Sequence, residues 1–340
     1  MKKNPYFFSP WGFATPEDER YELPNKYKLL ERLHGWDIAS KVYECGEDYI
    51  VYRCPNHHDE IKHVPIGCGE RRICPRCGEK YSIERYHVVK LRFDILKVEK
   101  AMYYVFTVPA SLRSMLTKKE NLDKVKRAVV HTLKALYGER VGAYLEWHLW
   151  GDEDGLFKPH LNVFVPDIQH DREKDVFVRI RLKRDADEVR RLYRLNLVEQ
   201  FGDIIPAVVD VHLELRERGK ELSHSIKYVT RPVFSLDRLD YDPVFDVVTV
   251  KGEKFDTSYM LTDFLPFYRI TTHKNIRFRV WIGYLSDSVF RRIFSQVTQL
   301  PPPPTKAELQ GLFVPRCPVC GTVMEVDEVF FTHRSRKPPP

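Results

Sequence analysis

Hydrophobic and polar positions along the chain change period several times, and each change marks a structural element. Met102–Val108 is a run of aromatic and β-branched residues closed by Pro109, which predicts a strand. From Lys118 to Tyr137 the apolar residues fall at Leu122, Val125, Val129, Leu133 and Leu136, the spacing of a helix with one buried face. Tyr144–Trp150 and His160–Val165 are strand-like, and the turn-rich GDEDGLFKP between them predicts a hairpin. Asp185–Phe201 places Val189, Leu192 and Leu195 at helical positions, and Ala207–Leu213 reads as a further strand. Lys220–Thr230 reads as a helix that stops before Pro232, because a proline disfavours helical backbone at the residue preceding it. In chain order these elements run β-α-β-β-α-β-α. That order predicts an α+β fold: an antiparallel sheet with helices on one face, near the split βαβ (ferredoxin- or RRM-like) plan.

The flanks have a different texture. Residues 1–40 are polar and aromatic, with a helical segment about Lys26–Leu33, and Cys45–Cys77 is rich in Cys and His with little apolar periodicity. A segment of that kind needs a metal to fold. Residues 235–300 mix short strands with a helix near Asp287–Phe294. The PPPP run at 301–304 is a stiff linker. It leads to a small tail with Cys317-Pro-Val-Cys320, and the final RSRKPPP reads as disordered. The expected division is 1–98 (N-terminal region, finger at 45–77), 99–234 (core), 235–300 (accessory region) and 301–340 (linker and tail).

Composition narrows the class. With 340 residues, 43% hydrophobic and 13% aromatic, the chain can bury a sizeable core and is not of disordered type. No apolar run reaches the roughly 18 residues of a membrane helix. The start, MKKNPYFFSPWGF, lacks the apolar stretch of a secretory signal. A cytoplasmic protein with no membrane partner is expected. The net charge of +7 permits a polyanionic partner.

The seven cysteines matter more than the charge. An odd count with Cys-Pro-x-Cys spacing argues against a disulfide framework and for metal in a reducing compartment. Cys74-Pro-Arg-Cys77-Gly has the spacing of a zinc knuckle, and Cys54-Pro-Asn-His57 repeats it with an imidazole. Two quartets remain open: Cys54, His57, Cys74 and Cys77, or the same set with Cys68 in place of His57. Cys45 lies nine residues before Cys54. Cys317 and Cys320 are half of a second zinc site, to which His333 could contribute.

A second constellation sits on the hairpin. Side chains alternate across a strand, so His160 and Asn162 in KPHLNVFVP share one face, as do Glu146 and His148 on the strand before. A carboxylate, an imidazole and a carboxamide oxygen suit Mg²⁺ or Mn²⁺. In KELSHSIKYVTRP, Leu222, Ile226 and Val229 form the core stripe. Tyr228 lies off it, with Glu221, His224 and Arg231 on the polar side. A phenol beside cations is placed for chemistry or for binding anions.

These motifs, in this order, resemble the HUH endonucleases that initiate rolling-circle replication of plasmids and viruses, and their transposase relatives. Cys68-Gly-Glu-Arg-Arg-Ile-Cys74-Pro-Arg-Cys77 looks like the family's finger, and Tyr104-Val-Phe-Thr-Val-Pro109 like its first motif. Leu145-Glu146 with Lys158-Pro-His-Leu-Asn162 is similar to its metal motif, and Ile226-Lys227-Tyr228 to its tyrosine helix. The match covers residues 45–232. One position departs: the family's His-hydrophobic-His has Asn162 as its second member. The resemblance implies a rolling-circle replication initiator that nicks single-stranded origin DNA. Mg²⁺ or Mn²⁺ would be held by Glu146, His160 and Asn162, with His148 near, and Tyr228 would be the nucleophile. Lys227 or Arg231 would lower the tyrosine pKa or grip phosphate, and a host helicase and polymerase would be partners. Expected DNA contacts are Arg71, Arg72, Arg76, Arg179, Arg181 and Lys183. A transposase or relaxase shares this chemistry, and a non-catalytic zinc-containing DNA-binding relative is the other alternative.

Overall fold

The structure, a computed structural model, describes residues 23–71, 73–150, 157–171, 173–174, 176–231, 239–245, 247–250, 253–256, 278–298 and 314–330. Most of the GDEDGLFKP turn, Arg72, Pro232, the PPPP run, His333 and the RSRKPPP end lie outside the described residues.

Two short helices, α1 (Asn25–His34) and α2 (Trp36–Tyr43), meet at Gly35, whose φ of 85° a side-chain-bearing residue rarely adopts. A hairpin follows, β1 (Tyr49–Arg53) with β2 (Ile61–Pro65). Next comes α3 (Pro75–Ile95), the longest described helix. Its first turn has Pro75 at the start, where a missing N–H costs nothing, and Cys74 as the cap, its sulfur accepting from the N–H of Cys77. The middle of the chain runs β3 (Lys100–Thr107), a single turn α4 (Ala110–Arg113), α5 (Lys119–Tyr137), β4 (Ala143–Trp150) and β5 (Phe157–Pro166). It continues with β6 (Ile168–Asp171), β7 (Val176–Arg179), α6 (Ala186–Phe201), β8 (Val211–Glu217) and α7 (Lys220–Val229). Then come β9 (Leu239–Asp242), β10 (Val247–Val250), β11 (Glu253–Asp256), β12 (Arg279–Ile282), α8 (Asp287–Thr298) and β13 (Glu325–Phe330).

The central sheet has the order β12-β4-β5-β3-β8, and every neighbouring pair is antiparallel. From β3 the chain crosses through α5 to β4, leaving room for β5 between them. From β5 it crosses through α6 to β8, stepping over β3. One face of the sheet packs Tyr104, Phe106, Leu145, Trp147, Leu161 and Val163 against α5 and α6. The other packs Tyr103, Tyr144 and Phe164 against Val89 and Phe93 of α3, Leu222, Ile226 and Val229 of α7, and Phe290 of α8. Helices on one face was the expectation; they cover both.

Other differences have plain causes. The strand expected at 207–213 starts later, at Val211. Val208, whose apolarity suggested it, is 80% exposed in the connection after α6. Strand β12 joins the central sheet beside β4, with Arg279 opposite Glu146. Strand β13 crosses back to the start of the chain and completes a small sheet of order β13-β1-β2. No helix among the described residues is long and apolar enough to cross a membrane.

Candidate functional site

Six cysteines and one histidine in the first group of motifs resolve with a seventh cysteine into two compact clusters. Cys45, Cys68, Cys74 and Cys77 form one, and Cys54, His57, Cys317 and Cys320 the other; within each, the ligand atoms lie within 4.8 Å of one another. The knuckles at 54–57 and 74–77 therefore do not share an ion, as either expected quartet required. Cys45 completes the first set. The partner of the half-site Cys317-x2-Cys320 is the Cys54–His57 pair, brought to it because β13 pairs with β1. Spacing alone does not reveal that pairing, since the residues lie more than 250 positions apart.

Both clusters can hold a structural metal ion such as zinc. In the first, Cys77 sulfur lies 3.6 Å from that of Cys45 and 3.7 Å from that of Cys68. Four thiolates around zinc at about 2.3 Å would be separated by about 3.8 Å. Backbone N–H groups support the sulfurs: that of Cys68 reaches Cys45 at 3.3 Å and that of Cys77 reaches Cys74 at 3.5 Å. Gly67 is required here, because a Cβ on it would stand 2.9 Å from the Cys77 sulfur. Contacts with Cys74 and Cys77, then burial, push the Cys68 thiol up, whereas hydrogen bonds from Cys68 and Cys74 push Cys77 down. In the second cluster Cys54 sulfur is 3.6 Å from Cys320 and 3.9 Å from His57 Nδ1. Cys320 is lowered to about 6 by the hydroxyl and backbone N–H of Thr322. Metal analysis of the purified chain is expected to find two zinc ions, one per cluster; a single ion would mean that one cluster is only a thiol group.

The second constellation lies on the α3–α7 face of the central sheet. Register sets Glu146 opposite Asn162 and His148 opposite His160. Tyr228, in the last turn of α7, is half-buried, and its ring centre is 5.6 Å from that of His148, which is 5.4 Å from that of His160. Arg231 stacks on Tyr228 with its guanidinium carbon 4.2 Å from the ring centre, and Nη2 approaches the phenol oxygen at 3.4 Å. The phenol, a guanidinium and two imidazoles are thus gathered over the hairpin. Lys227 is exposed and sits about 100° round the helix from Tyr228.

The buried polar groups beneath are already engaged. Glu146 is fully buried; one carboxylate oxygen pairs with the guanidinium of Arg85 and the other accepts from the Tyr144 hydroxyl. The Asn162 carboxamide oxygen accepts from the Tyr103 hydroxyl. His148 Nε2 meets the Val229 carbonyl at 2.7 Å, so that nitrogen carries the proton, and Nδ1 accepts from Arg231 at 3.5 Å. His160 Nδ1 donates to the Lys158 carbonyl at 2.8 Å, the arrangement that orients Nε2 outward in a metal-binding histidine. Of the expected ion ligands, only His160 has that posture. Among the described residues, groups of three or more His, Cys, Asp or Glu side chains close enough to share an ion occur only in the two cysteine clusters.

Burial, then the nearby Arg231 and His160, hold the His148 imidazole well below its ordinary 6.5. The folded state keeps it neutral where the unfolded chain would take up a proton. The contribution to stability is therefore complete above about pH 6.5 and declines as the pH falls below it, by at most about 1.4 kcal/mol per pH unit. Urea midpoints measured from about pH 7.5 to 5.5 should fall, and His148→Gln should flatten that slope.

The expected DNA-contacting residues divide. Arg71 stacks on Tyr81 at 5.0 Å, and Arg76 donates to the Cys45 carbonyl, bracing the first cluster. Arg179 is committed to Asp167 and Glu99, so its charge is met within the chain. Arg181 and Lys183 are exposed but flank Leu182, which packs with α5 and α6 on the sheet face opposite Tyr228. Arg181 and Lys183 therefore lie away from the tyrosine. Sequence reasoning missed Arg85 altogether. No protein-family model matches the chain, and the comparisons with curated proteins and with solved structures found no match.

Proposed function

We propose that the chain is a single-strand DNA nickase of the HUH type, acting as a rolling-circle replication initiator through Tyr228. The observation that carries the reading is the meeting of Tyr228 with Arg231, His148 and His160 over one hairpin, from elements far apart in sequence. The strand order β8-β3-β5-β4 with its two interleaved crossovers supports the split βαβ core that such an enzyme would use.

In this reading Arg231 faces the scissile phosphate and the phenol oxygen of Tyr228 attacks phosphorus in line. A new O–P bond to tyrosine forms as the bond to the 3′ oxygen breaks, and the phenol proton ends on the departing 3′-OH. The product is a 5′-phosphotyrosine that keeps the phosphodiester energy, so a later 3′-OH can reverse the attack and rejoin the ends. Arg231 offers a planar, permanently charged donor set suited to phosphate oxygens. The two zinc clusters are structural and hold the scaffold around the tyrosine helix. Glu146, held by Arg85 and Tyr144, does not fit a divalent ion, and no step is assigned to one.

A second reading, a zinc-containing DNA-binding protein without catalysis, is favoured by that engaged carboxylate. Incubating the chain with single-stranded oligonucleotides and isolating covalent protein–DNA adducts separates the two. Peptide mapping should place the adduct on Tyr228; binding with no adduct on any origin-derived strand would leave the second reading standing.

A further inference from the structure

The resemblance behind the proposed function implies a divalent ion at Glu146, yet a protein cation already stands there. We propose that the guanidinium of Arg85 takes the place of that ion: it neutralises Glu146, fixes the end of the tyrosine helix, and keeps a divalent ion from binding through this carboxylate. The inference deepens the proposed function and rests on it.

Arg85 is 2% exposed and Glu146 fully buried, so their ion pair is shielded from water and salt. A buried carboxylate needs a partner, and both of its oxygens are taken. The rest of the guanidinium is directed at the tyrosine helix. Nη2 donates to the carbonyls of Thr230 at 2.8 Å and Arg231 at 2.9 Å, the groups that end α7. Carbonyls at a helix C-terminus carry partial negative charge, and a cation is the partner they favour. The guanidinium also lies over the Tyr81 ring at 4.7 Å, and Ser82 donates to the same Thr230 carbonyl. One arginine thus ties β4, α3 and the end of α7 together, three residues beyond Tyr228. A divalent ion at Glu146 would have to displace that cation and strip the α7 carbonyls of their donor. Being buried, Arg85 does not touch DNA; it is a positioning residue, and Arg231 is the cation left to face phosphate.

The test uses the zinc-loaded full chain without DNA, titrated with Mn²⁺ and followed by electron paramagnetic resonance. Wild type should show no Mn²⁺ site that depends on Glu146. Arg85→Met should gain one, at least tenfold tighter than any wild-type binding, and the gain should vanish in Arg85→Met/Glu146→Gln. An Arg85→Met chain that folds but gains no Mn²⁺ affinity would overturn the proposal. So would a wild-type Mn²⁺ site weakened tenfold or more in the double variant, which removes both buried charges together and remains usable if the single variants do not fold. A wild-type site that survives in the double variant lies elsewhere and supports it. Because no cleavage is measured, a chain that gives no tyrosine adduct but behaves this way toward Mn²⁺ would sink the nickase reading alone.

Discussion

Tyr228→Phe should reduce covalent attachment to single-stranded DNA to background, a loss of at least ~1000-fold, while binding of the same strand changes little. The substitution removes one oxygen and leaves the ring between Arg231 and His148. The phenol oxygen meets Arg231 Nη2 only at 3.4 Å, so the lost contact should cost within about 1 kcal/mol of stability. Thermal unfolding near the wild-type temperature, together with loss of the adduct, would separate a missing nucleophile from a damaged fold. Arg231→Met should behave differently. It keeps the phenol but removes the charge that faces phosphate, so both strand affinity and attachment rate should fall. Adduct persisting in Tyr228→Phe at wild-type level would move the nucleophile to another residue.

Much of the central sheet could be read from the chain because its signals are local. The strands at 100–107, 143–150 and 157–166 alternate or run apolar, and α5 and α7 each carry a clear apolar stripe. The same alternation put Glu146 with His148, and His160 with Asn162, on shared faces, but the register that sets Glu146 opposite Asn162 and His148 opposite His160 came from the structure. What stayed hidden was α3, and the reason is physical. Its buried stripe runs Gly78, Arg85, Val89 and Phe93, so one of its inward positions holds a charge. Its apolar residues also spill outward: Ile83 is 53% and Leu91 42% exposed. A helix whose inward face includes an arginine does not look amphipathic until its partner, Glu146, is known. The zinc ligands illustrate a second limit. Knuckle spacing identified the pairs at 54–57, 74–77 and 317–320 but not that Cys45 joins Cys68 beside the second of them. The first meets the third only because β13 returns to β1 from the far end of the chain.

The two clusters should respond differently to loss of a ligand, because only one is connected to the tyrosine. Cys74 caps α3, and about 12 Å and about 16 Å further along that helix Ser82 and Arg85 hold the Thr230 and Arg231 carbonyls. Structural zinc supplies on the order of 10 kcal/mol of folding free energy to small metal-dependent units. Cys74→Ser should therefore release the first ion and fray the start of α3. The end of α7 would then lose its firm grip, and a displacement of reacting groups by ~1 Å can cost ~100-fold in rate. Adduct formation should fall by at least ~10-fold even where most of the chain stays folded, since tenfold corresponds to only ~1.4 kcal/mol. Cys317→Ser should release the second ion instead and free residues 314–330 from the β1–β2 hairpin, which limited proteolysis would report. The second cluster touches β1 and the tail but none of the residues gathered around Tyr228. Adduct rates in Cys317→Ser should stay within about threefold of wild type. Equal losses of attachment in the two variants, with both still folded, would disconnect the first cluster from the positioning of the nucleophile and leave Arg85 holding α7 without help from the metal.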